Sequence, residues 1–431
     1  MKLQKTALLI FTGLFLTLAS CASDQNKSQA VVAYEGYTLF NPQGNNTTYL
    51  INNAGEVLHT WKSKYRTGDS VYLLENGNLL RTATLKAEFG AAGGAGRIEE
   101  LSWEGEIVWS FEYSDDKVHF HHDIEVLPNG NILVIAWERV TPEEAISAGR
   151  DPKLIPAEDE GQLWMDHLIE VNKAGEIVWE WHVSDHLIQD VDSSKDNYGV
   201  VADHPELINI NYLGYNRVSN DWNHVNAVDY NPELDQILIS VRDFGEIWII
   251  DHNTTTEEAA GDKGDLLYRW GNPATYDRGD GSDQQFFGQH DAKWITDDLS
   301  GAGNIMVFNN GDRNRPYSSV DEITPPLKSD GSYDLGSGAY DPTELTWHYE
   351  APVTSDFYSD HISGAQRLPN GNTMICAGAE GRFFEVTAAG EIVWDIMNPI
   401  ETKSPKGGTK TSVFRAEKYA PDYPGLARLE K

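Results

Sequence analysis

Cysteine is the scarcest residue of this chain, with two in 431, Cys21 and Cys376. Two thiols build neither a disulfide framework nor a zinc–thiolate centre, so both classes are excluded. Basic residues are also few: 33 Lys and Arg stand against 67 Asp and Glu, a formal net charge of −34. So acidic a surface repels nucleic acid and anionic lipid, and no nucleic-acid partner is expected. After the first twenty residues no long apolar run occurs, so no mature membrane span is expected. Glycine (38) and aromatic residues (11%) are plentiful. With 40% hydrophobic residues, this composition fits a large folded core and not a disordered chain.

The N-terminus is unlike the rest. Lys2 and Lys5 precede an apolar run from Ala7 to Leu18 that is too short to span a bilayer as a mature helix. It ends in Leu18-Ala19-Ser20-Cys21, which resembles a bacterial lipobox with Cys21 as the lipidated residue. The expected organisation is a lipoprotein signal peptide over 1–20, a lipidated tether over 21–32 and one domain over 33–431. The protein is expected to be exported and lipid-anchored to a bacterial membrane, facing the periplasm or the cell surface. Cys376 is left as a lone thiol.

Two phrases recur along the domain. Gly-Glu-Ile-Val-Trp occurs at 105–109, 175–179 and 390–394, with looser copies at 55–58 and 245–248. Asn-Gly-Asn closes a second phrase at 76–78, 129–131 and 370–372. Asn-Gly between apolar alternations predicts a tight type I′ hairpin turn. Each unit therefore reads as a four-stranded antiparallel sheet, and radial repetition buries its two faces and protects its edges. The expected fold is all-β, a six-bladed β-propeller with long inter-blade loops, notably 141–161 and 184–222. Residues 37–61 supply the sixth blade, closed by 412–419. Helices should be few, and the run from Thr254 to Glu258 reads as a solvated loop.

Units begin near Tyr72, His122, His224, His290 and His361. The starts of innermost strands point at one end of a propeller axis, so histidines far apart in sequence should converge there. A single histidine at a strand start is more often a packed residue. Three or four at equivalent positions have no packing advantage over apolar residues and point to chemistry. His121 and Asp123 either shape the same pocket or, for His121, sit at a strand edge. Asn226 and Asp291 follow histidines and either orient them or line the channel. His59, His167, His182, His186, His204, His252 and His348 lack equivalents and read as surface or packing residues.

These stretches resemble the bacterial arylsulfate sulfotransferases that work without PAPS (3′-phosphoadenosine-5′-phosphosulfate). The resemblance rests on Gly36–Leu39, Gly55–Trp61, Tyr72–Arg81, Asp221–Val228, Tyr268–Pro273, Gln289–Asp291, Asn309–Ser319 and His361–Asn372. It implies a six-bladed propeller that moves a sulfuryl group from a phenolic sulfate to a phenolic acceptor, with no cofactor and no metal. It implies that His361 is the transiently sulfated nucleophile and that His224 and His290 complete the histidine set. The family arginine follows an Asn-Gly, which points to Arg315, with Arg313 second. His122, Asn226, Asn310 and Arg313 are the further candidates for substrate binding. The extra N-terminal domain and disulfide of some members are not expected here, and nothing indicates the oligomeric state.

The chemistry suits these residue types. Sulfuryl transfer, like phosphoryl transfer, passes through a loose transition state with charge on the oxygens. It needs a nucleophile and well-placed cations. Neutral imidazole is nucleophilic near pH 7, and a labile sulfohistidine gives ping-pong kinetics. An arginine fork holds two sulfuryl oxygens. Rival readings are a propeller that only binds a ligand, a zinc or copper enzyme on the same histidines, a quinone-dependent dehydrogenase, and a sulfatase that transfers to water.

Overall fold

Burial along the strands sorts them by position. Ile132–Val140 begins with six successive buried residues, the pattern of a strand covered on both faces. Ile107–Glu112, by contrast, has no fully buried residue and lies outermost. The computed structural model describes residues 32–335, 338–404 and 407–429; the leader, Cys21 and nearly all of the tether lie outside these.

Among the described residues, six four-stranded antiparallel sheets form the blades of a propeller. Blade 1 runs from Thr67 to Glu112, blade 2 from Val118 to His182 and blade 3 from Val225 to Trp270. Blade 4 spans His290 to Tyr349 and blade 5 Gly364 to Met397. Blade 6 is composite: its innermost strand, Val413–Tyr419, pairs with Tyr37–Pro42, followed outward by Thr47–Ile51 and Val57–Lys62. The ring therefore closes by joining the C-terminal strand to three N-terminal ones, and the expected six-bladed fold is the one observed.

Two local expectations are corrected. The Asn-Gly turns are not type I′, because φ is positive only at the glycines, Gly77 (85°), Gly130 (84°) and Gly371 (85°). Each Gly N–H instead reaches a carbonyl three residues back, on Leu74, Leu127 and Leu368. The asparagine side chains accept from the backbone N–H two residues on. That bond holds the Asn in an ordinary conformation and leaves the left-handed position to Gly alone. The second correction concerns the Thr254–Glu258 run, which contributes to a short helix, Thr256–Ala259, started by a Thr255–Glu258 capping box.

Neighbouring blades are clasped at the rim. Trp109, Trp179, Trp270, Trp347 and Trp394 each donate an indole N–H to the outer connection of the next blade. The acceptors are Lys173 O, Thr254 Oγ1, Pro342 O, Ala388 O and Asn53 O, at 2.7–3.2 Å. His59 Nε2 makes the sixth contact, 2.8 Å from Trp103 O. The tryptophan of the recurring phrase is thus the clasp.

Candidate active site

The inner strands are irregular where they begin. Pairing shifts between Thr67 and Val71, Phe120 and Ile124, Val225 and Ala227, and His290 and Lys293. At these bulges, and just before blades 3 and 5, non-glycine residues adopt left-handed φ: His122 (51°), His224 (53°), Asp291 (54°) and Ile362 (51°). Each such residue costs on the order of 1–2 kcal/mol. Bulges turn a side chain out of the regular pleat, and these lie at one end of the axis.

There a cavity of about 280 Å³ is lined by His122, His224, His290, His361, Arg217 and Arg242, among others. The structure therefore brings together all four histidines singled out in the sequence. The rings of His122 and His224 stand edge to face at 4.7 Å.

Each of the four imidazoles is tied down at Nδ1. His224 Nδ1 lies 2.5 Å from Asp221 Oδ2, and His361 Nδ1 lies 2.6 Å from Asp360 Oδ1. His290 Nδ1 lies 2.8 Å from Asn310 Oδ1 and 2.9 Å from Gly288 O. Asn310 spends its amide N–H groups on the carbonyls of Ser359 and Ile362, so only its oxygen faces His290, whose Nδ1 must donate. His122 Nδ1 lies 2.8 Å from His121 Nδ1. Among the described residues no hydrogen bond reaches Nε2 of any of the four. Burial, aided by Arg242, drives the imidazole of His290 well below its usual range, so it is neutral at pH 7.

The other candidates fall elsewhere. Asn310 braces blades 4 and 5 from behind the cavity wall, and Asn226 donates to Gln289 O across blades 3 and 4. Both position histidine-bearing segments. Arg315 is not at the cavity: its guanidinium donates to Tyr317 O and Ser319 Oγ and stacks on Tyr317. Arg313 lines an adjoining cavity of about 560 Å³ with Tyr215, Arg217, Arg242 and Tyr358.

The cations that do face the histidines, Arg242 and Arg217, share Asp243 through bonds of 2.6 and 3.1 Å. Sequence reading missed both. A signal for Arg242 existed, because it directly follows the second strand of blade 3, where Asn310 follows the second strand of blade 4.

One residue further along the inner strands the axis is filled by charge. Arg415 pairs with Asp123 at 2.5 Å and with Asp291 at 2.9 Å, and Tyr72 donates to Asp123 at 2.7 Å. Lys293 joins Asp291 (3.2 Å) to Glu417 (2.9 Å). Burial and neighbouring acids push the carboxyl of Glu125 well up, and burial pushes Asp229 up to about 7.

Away from the axis, Glu138, His167 and His182 bring ligand atoms within 4.8 Å of one another. The two imidazoles are parallel to within 1° and stacked. Parallel planes share no point where a metal meets both lone pairs, and as placed the trio is a hydrogen-bonded packing cluster.

Six blades around an axial cavity of imidazoles and guanidiniums define a histidine-site propeller. The chain belongs to the arylsulfotransferase (ASST) family, whose profile matches residues 22–417. Its activity is therefore sulfotransfer in general terms, with phenolic substrates. No curated protein matches the sequence. Several solved structures are similar. A Bacteroides caccae protein of unknown function shares 12% identity over 89% of this chain and 98% of its own, with TM-score 0.47. A streptogramin B lyase shares 10% over 89% and 90%, with TM-score 0.43. A virginiamycin B lyase from Staphylococcus aureus shares 11% over 86% and 83%, with TM-score 0.41. Likenesses this weak carry no argument about the site.

Proposed function

We propose that this chain moves a sulfuryl group from a phenolic sulfate ester to a phenolic acceptor through a sulfohistidine at His361, without PAPS or metal. The observation that supports it is the shared geometry of four imidazoles, each fixed at Nδ1 with Nε2 free, beside Arg242. His361 Nε2 attacks sulfur while Asp360 holds the Nδ1 proton and neutralises the charge that develops on the ring. His224, with Asp221 as counter-charge, and Arg242 donate to the sulfuryl oxygens. His290 keeps a lone pair toward the cavity. The aryl oxide leaves, an acceptor phenol enters, and the second displacement restores His361. The same reading places the enzyme outside the cytoplasm, held to a membrane through lipid on Cys21.

The test is an assay of the mature chain and His361→Ala with p-nitrophenyl sulfate, with and without phenol, plus intact-mass spectrometry after donor alone. Phenol-dependent nitrophenolate release and one sulfuryl adduct, absent from the variant, are expected. Release indifferent to phenol would make the protein a sulfatase. Neither release nor adduct, across several aryl sulfates, would leave a ligand-binding propeller.

A further inference from the structure

His122 differs from the other three histidines in what lies behind it. His224 and His361 meet a carboxylate directly, and His290 meets a neutral amide. His122 meets another histidine: its Nδ1 lies 2.8 Å from His121 Nδ1, and His121 Nε2 lies 2.7 Å from Asp166 Oδ1. The line is rigid. His121 is fully buried and stacks on Trp137 at 3.9 Å and 15°. Asp166 is fixed through its other oxygen by the N–H of Val225, at 3.0 Å. The His122 ring sits against Gly93, where a Cβ would fall 2.2 Å from Nε2, and the backbone N–H of His122 donates to Gly93 O.

From these contacts we propose that Asp166, His121 and His122 form a proton relay serving the phenolic oxygen in both half-reactions; the inference rests on the sulfuryl-transfer reading above. His122 is the catalytic member, and the other two act through it. In the acid state Asp166 is a carboxylic acid donating to His121 Nε2. His121 Nδ1–H then donates to His122 Nδ1, and His122 carries its proton on Nε2. As the S–O bond to the donor phenol breaks and the S–N bond to His361 forms, the electron pair stays on the phenolic oxygen. That oxygen takes the Nε2 proton. The His121 Nδ1 proton moves to His122 Nδ1, and the Asp166 proton moves to His121 Nε2, leaving a carboxylate. In the second half-reaction the acceptor O–H gives its proton to His122 Nε2. Its O–S bond forms, the S–N bond returns its pair to His361, and the protons step back to Asp166. One proton is stored per cycle, and neither ring ever becomes a cation.

The environment favours that arrangement. Burial, with His224 next, drives the imidazoles of His121 and His122 well below their usual range. Burial, with Asp221 next, pushes the Asp166 carboxyl well up. The proton therefore rests on the carboxyl end. His290 is the weaker candidate, because protonating it makes an imidazolium beside Arg242 with only an amide behind it.

The experiment compares formation of sulfuryl-enzyme from p-nitrophenyl sulfate, whose leaving group needs little protonation, with phenyl sulfate, whose leaving group needs it. The full chain is used with His122→Gln, Asp166→Asn and His224→Gln. His122→Gln is expected to lose about 10²–10³-fold on phenyl sulfate and only a few-fold on p-nitrophenyl sulfate, with Asp166→Asn showing the same skew. Equal losses on both donors, or a skew confined to His224→Gln, would overturn the relay. Should Asp166→Asn fail to fold, His122→Gln carries the donor comparison. Histidine ¹⁵N–¹H spectra of the wild type read the relay without turnover: a proton shared between the Nδ1 atoms of His121 and His122 is expected, and its absence overturns the proposal. If no aryl sulfate is turned over by the wild type, the sulfotransfer reading falls whatever the spectra show.

Discussion

At the scale of single residues, the site rests on hydrogen bonds that choose which nitrogen of each imidazole is tied down and which is left open. Asn310 shows how strict the choice is: with both amide hydrogens spent on carbonyls, it can only accept from His290. The arginines separate by the same test of what each already touches. Arg315 is occupied by Tyr317 and Ser319, whereas Arg242 lines the cavity. Arg242→Gln should therefore lower kcat/KM for an aryl sulfate by about 10²–10³-fold, and Arg315→Gln by less than about 10-fold. Steady-state kinetics of the two variants checks this; the reverse order would return the sulfuryl clamp to Arg315. The four histidines were legible because they recur at strand starts. Arg217 was not, because it lies in an inter-blade loop without periodicity, and Arg242, though it matches Asn310 in position, was passed over because the family arginine follows an Asn-Gly and points to the next blade.

At the scale of strands and turns, the recurring phrase encodes contacts between blades as well as the blades themselves. The Gly-Glu turn launches an outer strand whose third residue is the tryptophan that reaches the next blade. Repetition made the strands and their number readable. The clasp was not readable, because a period in sequence does not say whether an aromatic ring packs within its sheet or reaches the next. The turn type was misjudged for a different reason: Asn tolerates left-handed φ, but here its side chain accepts from the N–H two residues on and no longer needs it. Trp109→Phe keeps a ring while removing the N–H to Lys173 O. It should cost about 1 kcal/mol, read as a lower urea midpoint, with sulfuryl transfer unchanged. An activity loss would mean that rim clasps also set the cavity.

At the scale of the whole molecule, six blades form one closed ring, and its axis carries buried charge that only the assembled ring balances. Arg415 pairs with carboxylates from two blades, Asp123 of blade 2 and Asp291 of blade 4, the second of which also meets Lys293. Removing one partner of a buried pair leaves uncompensated charge, so Arg415→Met should destabilise the fold by about 3–5 kcal/mol. Denaturant unfolding measures it, and a loss under about 1 kcal/mol would show that Lys293 suffices. The acidic balance of the sequence predicted a solvated exterior, but not that acids would also fill the axis. Composition counts charges without saying where they lie.

The composite blade has a consequence for how the chain matures. Its innermost strand follows the other five blades in the sequence, and Arg415 lies on it. Until Val413–Tyr419 docks against Tyr37–Pro42, Asp123 lacks its guanidinium partner and Asp291 keeps only Lys293. Closing the ring and neutralising its axis are thus one event, set by the docking of a single strand.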